Sequence, residues 1–303
     1  MSPSFDLSGL TPDAFRELLP AFLAAYIDDA DAAARNLERV QAFVGSWSDD
    51  TAHDVKERLL RMEPGTGVLE AHPACRELQR RWARDVMLSP QLVGVEHLRS
   101  AMSGPTVVLG NHLAYFDASA LDCALAWDGH ADLADRLVAA AGPKVYEATF
   151  RRIAAACLHT LPVPQTNRLA HTKQLSAREL ARQALASIRA AKEASQEGRA
   201  LLLYPEGART RTGRMGSFVR GVHRYLGVAD QVAVVPCAIL GTDEIMPIGA
   251  RKLRPGRLEV RFGEPLTVGV DGDTKSVLEQ SFHAIGRLLP PSYRPSADTP
   301  PLA

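Results

Sequence analysis

The stretch NHLAYFD, residues 111–117 of the 303-residue chain, holds a histidine and an aspartate five positions apart. On a continuous helix, positions five apart lie roughly 140° around the axis, so His112 and Asp117 could not face one another there. They meet only where the chain turns between them. A strand over 106–109, a loop carrying Asn111 and His112, and a helix opening near Asp117 would hold the far nitrogen of an imidazole against a carboxylate. That arrangement fixes tautomer and basicity in a general base. A metal hydrolase is the weaker reading of the same pair, because no second histidine cluster accompanies it. No GxSxG occurs, and Cys157, two residues from His159, falls in a predicted helix, which argues against a catalytic thiol.

A second chemical stretch is LLLYPEGARTRTGRMGSFVRG, residues 201–221. The pattern predicts a strand ending at Tyr204 and Pro205, then a turn bearing Glu206 and Gly207, then Arg209, Arg211 and Arg214. Between Tyr204 and Arg224 five arginines face one acid. Guanidinium groups at alternating positions on an irregular loop can converge on one phosphate through paired, charge-assisted hydrogen bonds. The alternative is a solvated basic loop. Position favours the anion site, since the loop would leave a central strand, where α/β sheets place their ligands. Glu206 is read either as a partner for an arginine or as a substrate contact.

These residues need elements to hold them. Thr11-Pro12-Asp13 is a helix start, with a capping hydroxyl, a proline in the first turn and an acid at the positive dipole end. Helical periodicity continues over 32–44, 54–62 and 74–87, so residues 1–88 read as a small helical bundle or cap domain. After Ser89-Pro90, short runs rich in Val, Ile and Leu at 92–95, 106–109, 137–140, 160–163, 200–204, 232–240 and 257–262 alternate with predicted helices. Those helices fall at 118–127, 147–158, 177–197 and 274–289. Residues 89–290 are therefore expected to form an α/β domain with a mixed central sheet flanked by helices. The proline-rich tail, 291–303, is expected to be disordered.

Charge is divided unevenly. Residues 1–90 hold ten Lys and Arg against fifteen Asp and Glu, a net −5, and the remainder carries +5. The half with the motifs is the basic one, as expected if it handles anions. No apolar run approaches the roughly 18–20 residues that cross a bilayer, and the N-terminus lacks the pattern of a secretory signal. A cytoplasmic protein is expected, its four scattered cysteines acting as small core residues without disulfide or zinc spacing.

Together the motifs resemble the glycerolphosphate and lysophosphatidate acyltransferase superfamily. NHLAYFD looks like its HX4D block, and YPEGARTRTGRMGSFVRG looks like its FPEGTRS block with the trailing Phe-x-x-Gly. VGVEHL, VAVVPCAI and GRLEVRFGEPL resemble the family's entry strand, its late valine-proline block and its closing strand, in the family's order over roughly 92–268. The match loosens over AGPKVYEATFRRIAAACLHTLPVPQTNR, which leaves the acceptor open.

The resemblance implies an O-acyltransferase that moves a fatty acyl group from acyl-CoA or acyl carrier protein to a hydroxyl of glycerol 3-phosphate or a lysophospholipid. His112 would be the base and Asp117 its orienting partner. Attack would be direct, with no acyl-enzyme and no further cofactor or metal. Arg209 and Arg211 would grip the acceptor phosphate, with Lys144, Arg168 and Lys173 as further cations or ordinary surface charge. Asn111, Glu206, Gly207 and Arg214 would support the site, backbone N–H groups around Gly207 serving the developing oxyanion. Alternatives on the same fold are transfer to a non-phosphorylated metabolite and a non-catalytic lipid-binding protein. The helical N-terminus resembles that of the stromal glycerol-3-phosphate acyltransferases. The helix at 147–158 is expected to face the core or to touch the inner membrane face peripherally, and no nucleic-acid partner is indicated.

Overall fold

The computed structural model describes residues 6–164 and 176–303. Four helices lead: α1 (Pro12–Ala24), α2 (Ala30–Gly45), α3 (Asp49–Arg61) and α4 (Pro73–Trp82). Thr11, Asp29 and Ser48 each cap the following helix by accepting a backbone N–H three residues on. The alternating part follows as β1 (Met87–Val93), α5 (Val95–Ala101), β2 (Thr106–Gly110), α6 (Asp117–Trp127), α7 (Ala131–Ala134), β3 (Leu137–Ala141), α8 (Thr149–Ala156) and β4 (His159–Pro162). It continues through α9 (Ala177–Gln196), β5 (Ala200–Leu203), β6 (Val232–Leu240), α10 (Thr242–Ile245), β7 (Gly256–Phe262), β8 (Leu266–Val268) and α11 (Thr274–Leu288).

The strands form one mixed sheet in the order β1-β7-β6-β2-β5-β3-β4, with β8 paired to β6. From β6 to β4 the neighbours run parallel, so those strands end on the same edge. β2 lies between β5 and β6, which sets the loops after these three strands side by side. That adjacency builds the site.

The predicted helix over 74–87 stops at Trp82, and the chain then enters a strand at Met87, earlier than the run at 92–95 suggests. Pro90 fits there because β1 is an edge strand with a register shift between Leu88 and Gln91.

The leading helices share one continuous hydrophobic core with a face of the sheet, in which Phe15, Leu19, Leu59 and Leu78 belong to the same cluster as Val108, Leu121 and Val260. The other face packs under α9 and α11. A buried charge cluster also binds α4 to α6: the Arg80 guanidinium donates to both Asp122 oxygens at 3.0 Å, and Arg76 reaches Asp135 at 3.1 Å.

The tail is ordered, contrary to the expectation of disorder. Its prolines lack donors, but its carbonyls accept: Met215 N–H donates to Tyr293 O and Phe218 N–H to Pro301 O, each at 2.9 Å. Arg214 adds bonds to the carbonyls of Pro291 and Arg294 at 3.1 and 3.2 Å.

Candidate active site

β2 ends at Gly110 and delivers Asn111 and His112 to the shared edge. The Asn111 amide both donates to Ile239 O at 2.9 Å and accepts from Ile239 N at 2.7 Å, which fastens the loop to β6. The chain then turns, and α6 opens at Asp117. Asp117 is fully buried, and its Oδ2 lies 2.7 Å from His112 Nδ1. The carboxylate also accepts the N–H groups of Leu113 at 2.8 Å and Ala114 at 3.1 Å. With so many donors Asp117 acts as an acceptor, so in the neutral imidazole the proton sits on Nδ1 and the lone pair on Nε2. The spacing read from the sequence is realised as a turn closed by the aspartate's own side chain.

The loop after β5 packs against this turn. Thr210 N–H donates to the His112 carbonyl at 2.8 Å, and the Glu206 carboxylate accepts the His112 N–H at 2.7 Å. Glu206 thus pairs with backbone, and among the described residues no arginine bonds it. The Tyr204 ring stacks on the imidazole at 4.4 Å between centroids. The Tyr204 hydroxyl is buried, and burial with the nearby Asp117 charge pushes the phenol well above the ordinary range.

The arginines separate in role. Arg209 lies over the Tyr115 ring, Cζ 3.7 Å from its centroid, at the edge of a cavity. Arg211 is exposed and lines no part of that cavity. Arg214 is spent on the tail. Lys144 sits in a 3-10 turn, Pro143–Tyr146, away from the cavity lining. Arg168 and Lys173 lie outside the described residues. The expected oxyanion donor at Gly207 is also committed: its N–H closes the turn onto Tyr204 O at 3.0 Å, and its φ of +70° is what that turn requires.

The cavity measures about 390 Å³ and is mainly apolar. Tyr115 and Phe116, from the His112 loop, stand at one side, and Trp82, Phe150 and Ile153 from α4 and α8 form much of the rest. Phe150 stacks on Tyr26 of the N-terminal segment at 3.9 Å. The apolar face of α8 therefore turns inward, the core-facing alternative. Cys157 also lines the cavity, but burial pushes its thiol well up, so it supplies no thiolate.

A family model described as Acyltransferase matches residues 89–240, half of the chain, including the His112 turn and the arginine loop. The chain belongs to the acyltransferase family. Its similarity to curated members is local. It is 36% identical over 75 residues to the chloroplastic 1-acyl-sn-glycerol-3-phosphate acyltransferase LPAT1 of Arabidopsis thaliana, covering 24% of this chain and 21% of that one. It is 32% identical over 102 residues to a 1-acyl-sn-glycerol-3-phosphate acyltransferase of Chlamydomonas reinhardtii, covering 33% and 30%. The matched segments thus span less than a third of those relatives. The crystal structure of the 1-acyl-sn-glycerophosphate acyltransferase PlsC from Thermotoga maritima aligns with a TM-score of 0.49 at 15% identity, over 90% of this chain and 96% of that one.

Thr242, which no motif in the sequence marks, also belongs to the site. It follows β6 and donates its hydroxyl to Asp117 Oδ1. Among the described residues no group of three or more His, Cys, Asp or Glu is placed to hold a metal, and no helix is long and apolar enough to cross a membrane.

Proposed function

We propose that this protein transfers a fatty acyl group from a thioester, acyl-CoA or acyl carrier protein, to the free hydroxyl of a 1-acylglycerol 3-phosphate. The observation that carries the reading is the His112–Asp117 pair, 2.7 Å apart, beside an arginine loop and an apolar cavity. Family membership and the names of the local relatives support the same chemistry.

His112 Nε2 takes the proton of the acceptor hydroxyl as its oxygen attacks the thioester carbonyl. The C–O bond forms, the tetrahedral intermediate collapses, and the C–S bond breaks. The leaving thiolate then receives the proton from His112, which returns to its starting state. Asp117 stabilises the transient imidazolium without itself taking the proton. Arg209 binds the acceptor phosphate, and the cavity takes a hydrocarbon chain out of water, at about 0.8 kcal/mol for each methylene buried.

The test is His112→Ala, assayed by mass spectrometry with palmitoyl-CoA and palmitoyl carrier protein offered separately. Transfer should fall by at least about 10²-fold, the usual contribution of a general base, with an unchanged melting temperature. Turnover near that of the wild type would overturn the mechanism.

A further inference from the structure

The Asp117 carboxylate gathers four donors, and three of them are local. His112 Nδ1, Leu113 N–H and Ala114 N–H come from the same turn that carries the aspartate. The fourth comes from 125 positions along the chain: the Thr242 hydroxyl on Oδ1. Both side chains are fully buried. The local donors crowd Oδ2, and Oδ1 otherwise receives only the shared Ala114 N–H at 3.1 Å. Rotation of a carboxyl group about its last torsion is soft, so the plane of Asp117 needs a bond on each oxygen to hold it.

The chain goes to some length to place this threonine. β6 runs beside β2 and ends on the same edge, and Gly241 then adopts φ +90°. A side chain at Gly241 would bring its Cβ within 2.1 Å of the Arg257 carbonyl, so the turn that delivers Thr242 depends on glycine.

We infer that Thr242 is a positioning residue, whose hydroxyl holds the Asp117 carboxylate in the plane that presents Oδ2 to His112 Nδ1. The inference rests on the general-base reading above. It assigns the orientation of the carboxylate to the turn after β6, the same strand that fastens Asn111 through Ile239.

Three other titratable groups face the pair: Glu206 at the His112 backbone, Tyr204 on the imidazole, and Cys237 of β6, whose buried thiol is pushed up by burial and by Asp117. All remain in a Thr242 variant, so they affect variant and parent alike. Thr242→Val keeps the shape and removes the donor. With the carboxylate free to turn, the bond to Nδ1 weakens and the imidazolium loses support. The expected result is a kcat about tenfold lower, KM for donor and acceptor within twofold, and a His112 imidazole titration, followed by NMR, displaced to lower pH. Thr242→Ser should restore both. Thr242→Ala is read the same way if valine lowers the melting temperature.

An unchanged kcat, a titration that is unmoved or displaced upward, or failure of serine to rescue would overturn the inference. Its failure is separable from that of the mechanism. His112→Ala inactive with Thr242→Val normal sinks only the threonine's role, whereas His112→Ala active sinks the general base, whatever the titration shows.

Discussion

Glu206 receives the backbone N–H of His112 through Oε1 and that of Gly216 through Oε2, each at 2.7 Å. One carboxylate thus ties the histidine turn to the far side of the arginine loop. Burial is the main cause that raises its carboxyl from the ordinary 4.5 to about 7, with the Asp117 charge adding to it and the two N–H bonds opposing. Because the folded pKa lies above the unfolded one, the native state keeps this proton after the unfolded chain has lost it. The associated stability is complete below pH 4.5 and is lost as pH rises to about 7. Glu206→Gln should remove that dependence. Denaturation at pH 4.5 and pH 8 should show the stability of the wild type relative to the variant falling by about 3 kcal/mol across the interval. A constant difference would mean that Glu206 does not titrate there.

Asp117→Asn tests the same turn from its other end. An amide in place of the carboxylate cannot stabilise the imidazolium, and it offers one oxygen where two now accept. We expect kcat to fall by about 10²–10⁴-fold with little change in KM, since the pair acts in the transition state. A variant that loses acceptor affinity but keeps kcat would reassign Asp117 to binding.

How much of this was legible depended on distance along the chain. The His112–Asp117 pair could be read because a spacing of five forces a bend, and the bend is local. The strand before it and the helix after it were equally visible in the change of period. Thr242 was not, because a threonine after an apolar strand carries no mark of the residue it will meet 125 positions away. Gly207 misled for a related reason: glycine after a strand signals a tight turn, and here the turn itself consumes the N–H. The tail misled because composition describes the prolines' missing donors and says nothing of the Met215 and Phe218 amides that needed acceptors.

Arg209 is the one member of the basic loop placed at the cavity. A charge-assisted hydrogen bond contributes about 1.5–3 kcal/mol, which corresponds to roughly ten- to hundredfold. Arg209→Ala should raise KM for a phosphorylated acceptor by that factor and leave KM for the donor within twofold. Arg211→Ala, on the exposed side, should change neither by more than twofold. Steady-state kinetics with each substrate varied in turn decides between them, and equal effects of Arg209→Ala on both substrates would refute the phosphate assignment.

Ala154, on the inward face of α8, lines the cavity with Phe150 and Ile153. Ala154→Phe fills part of the space available to a hydrocarbon chain. Each methylene that no longer fits costs about 0.8 kcal/mol, so two or three lost methylenes lower kcat/KM by roughly tenfold or more. A series of acyl-CoA donors should therefore show preference moving to shorter chains, with the shortest donor unaffected. A uniform loss at every length would place the chain elsewhere.

The cavity wall depends in turn on the charge cluster behind it. Asp122 is 2% exposed, and Arg80 and Arg76 beside it are 14% and 11% exposed. Taking one charge from such a cluster leaves the others desolvated without compensation, which costs about 3–5 kcal/mol, whereas replacing a pair with apolar groups costs far less. Asp122→Ala should therefore destabilise by about that amount in chemical denaturation. Asp122→Leu combined with Arg80→Leu should recover much of the loss, because Arg76 keeps its bond to Asp135 at 3.1 Å. If the double variant were less stable than Asp122→Ala, the cluster would be contributing net stability through its charges. In the expected outcome the two leucines keep α4 seated on α6 by packing, and Trp82, at the end of α4, stays in the cavity wall.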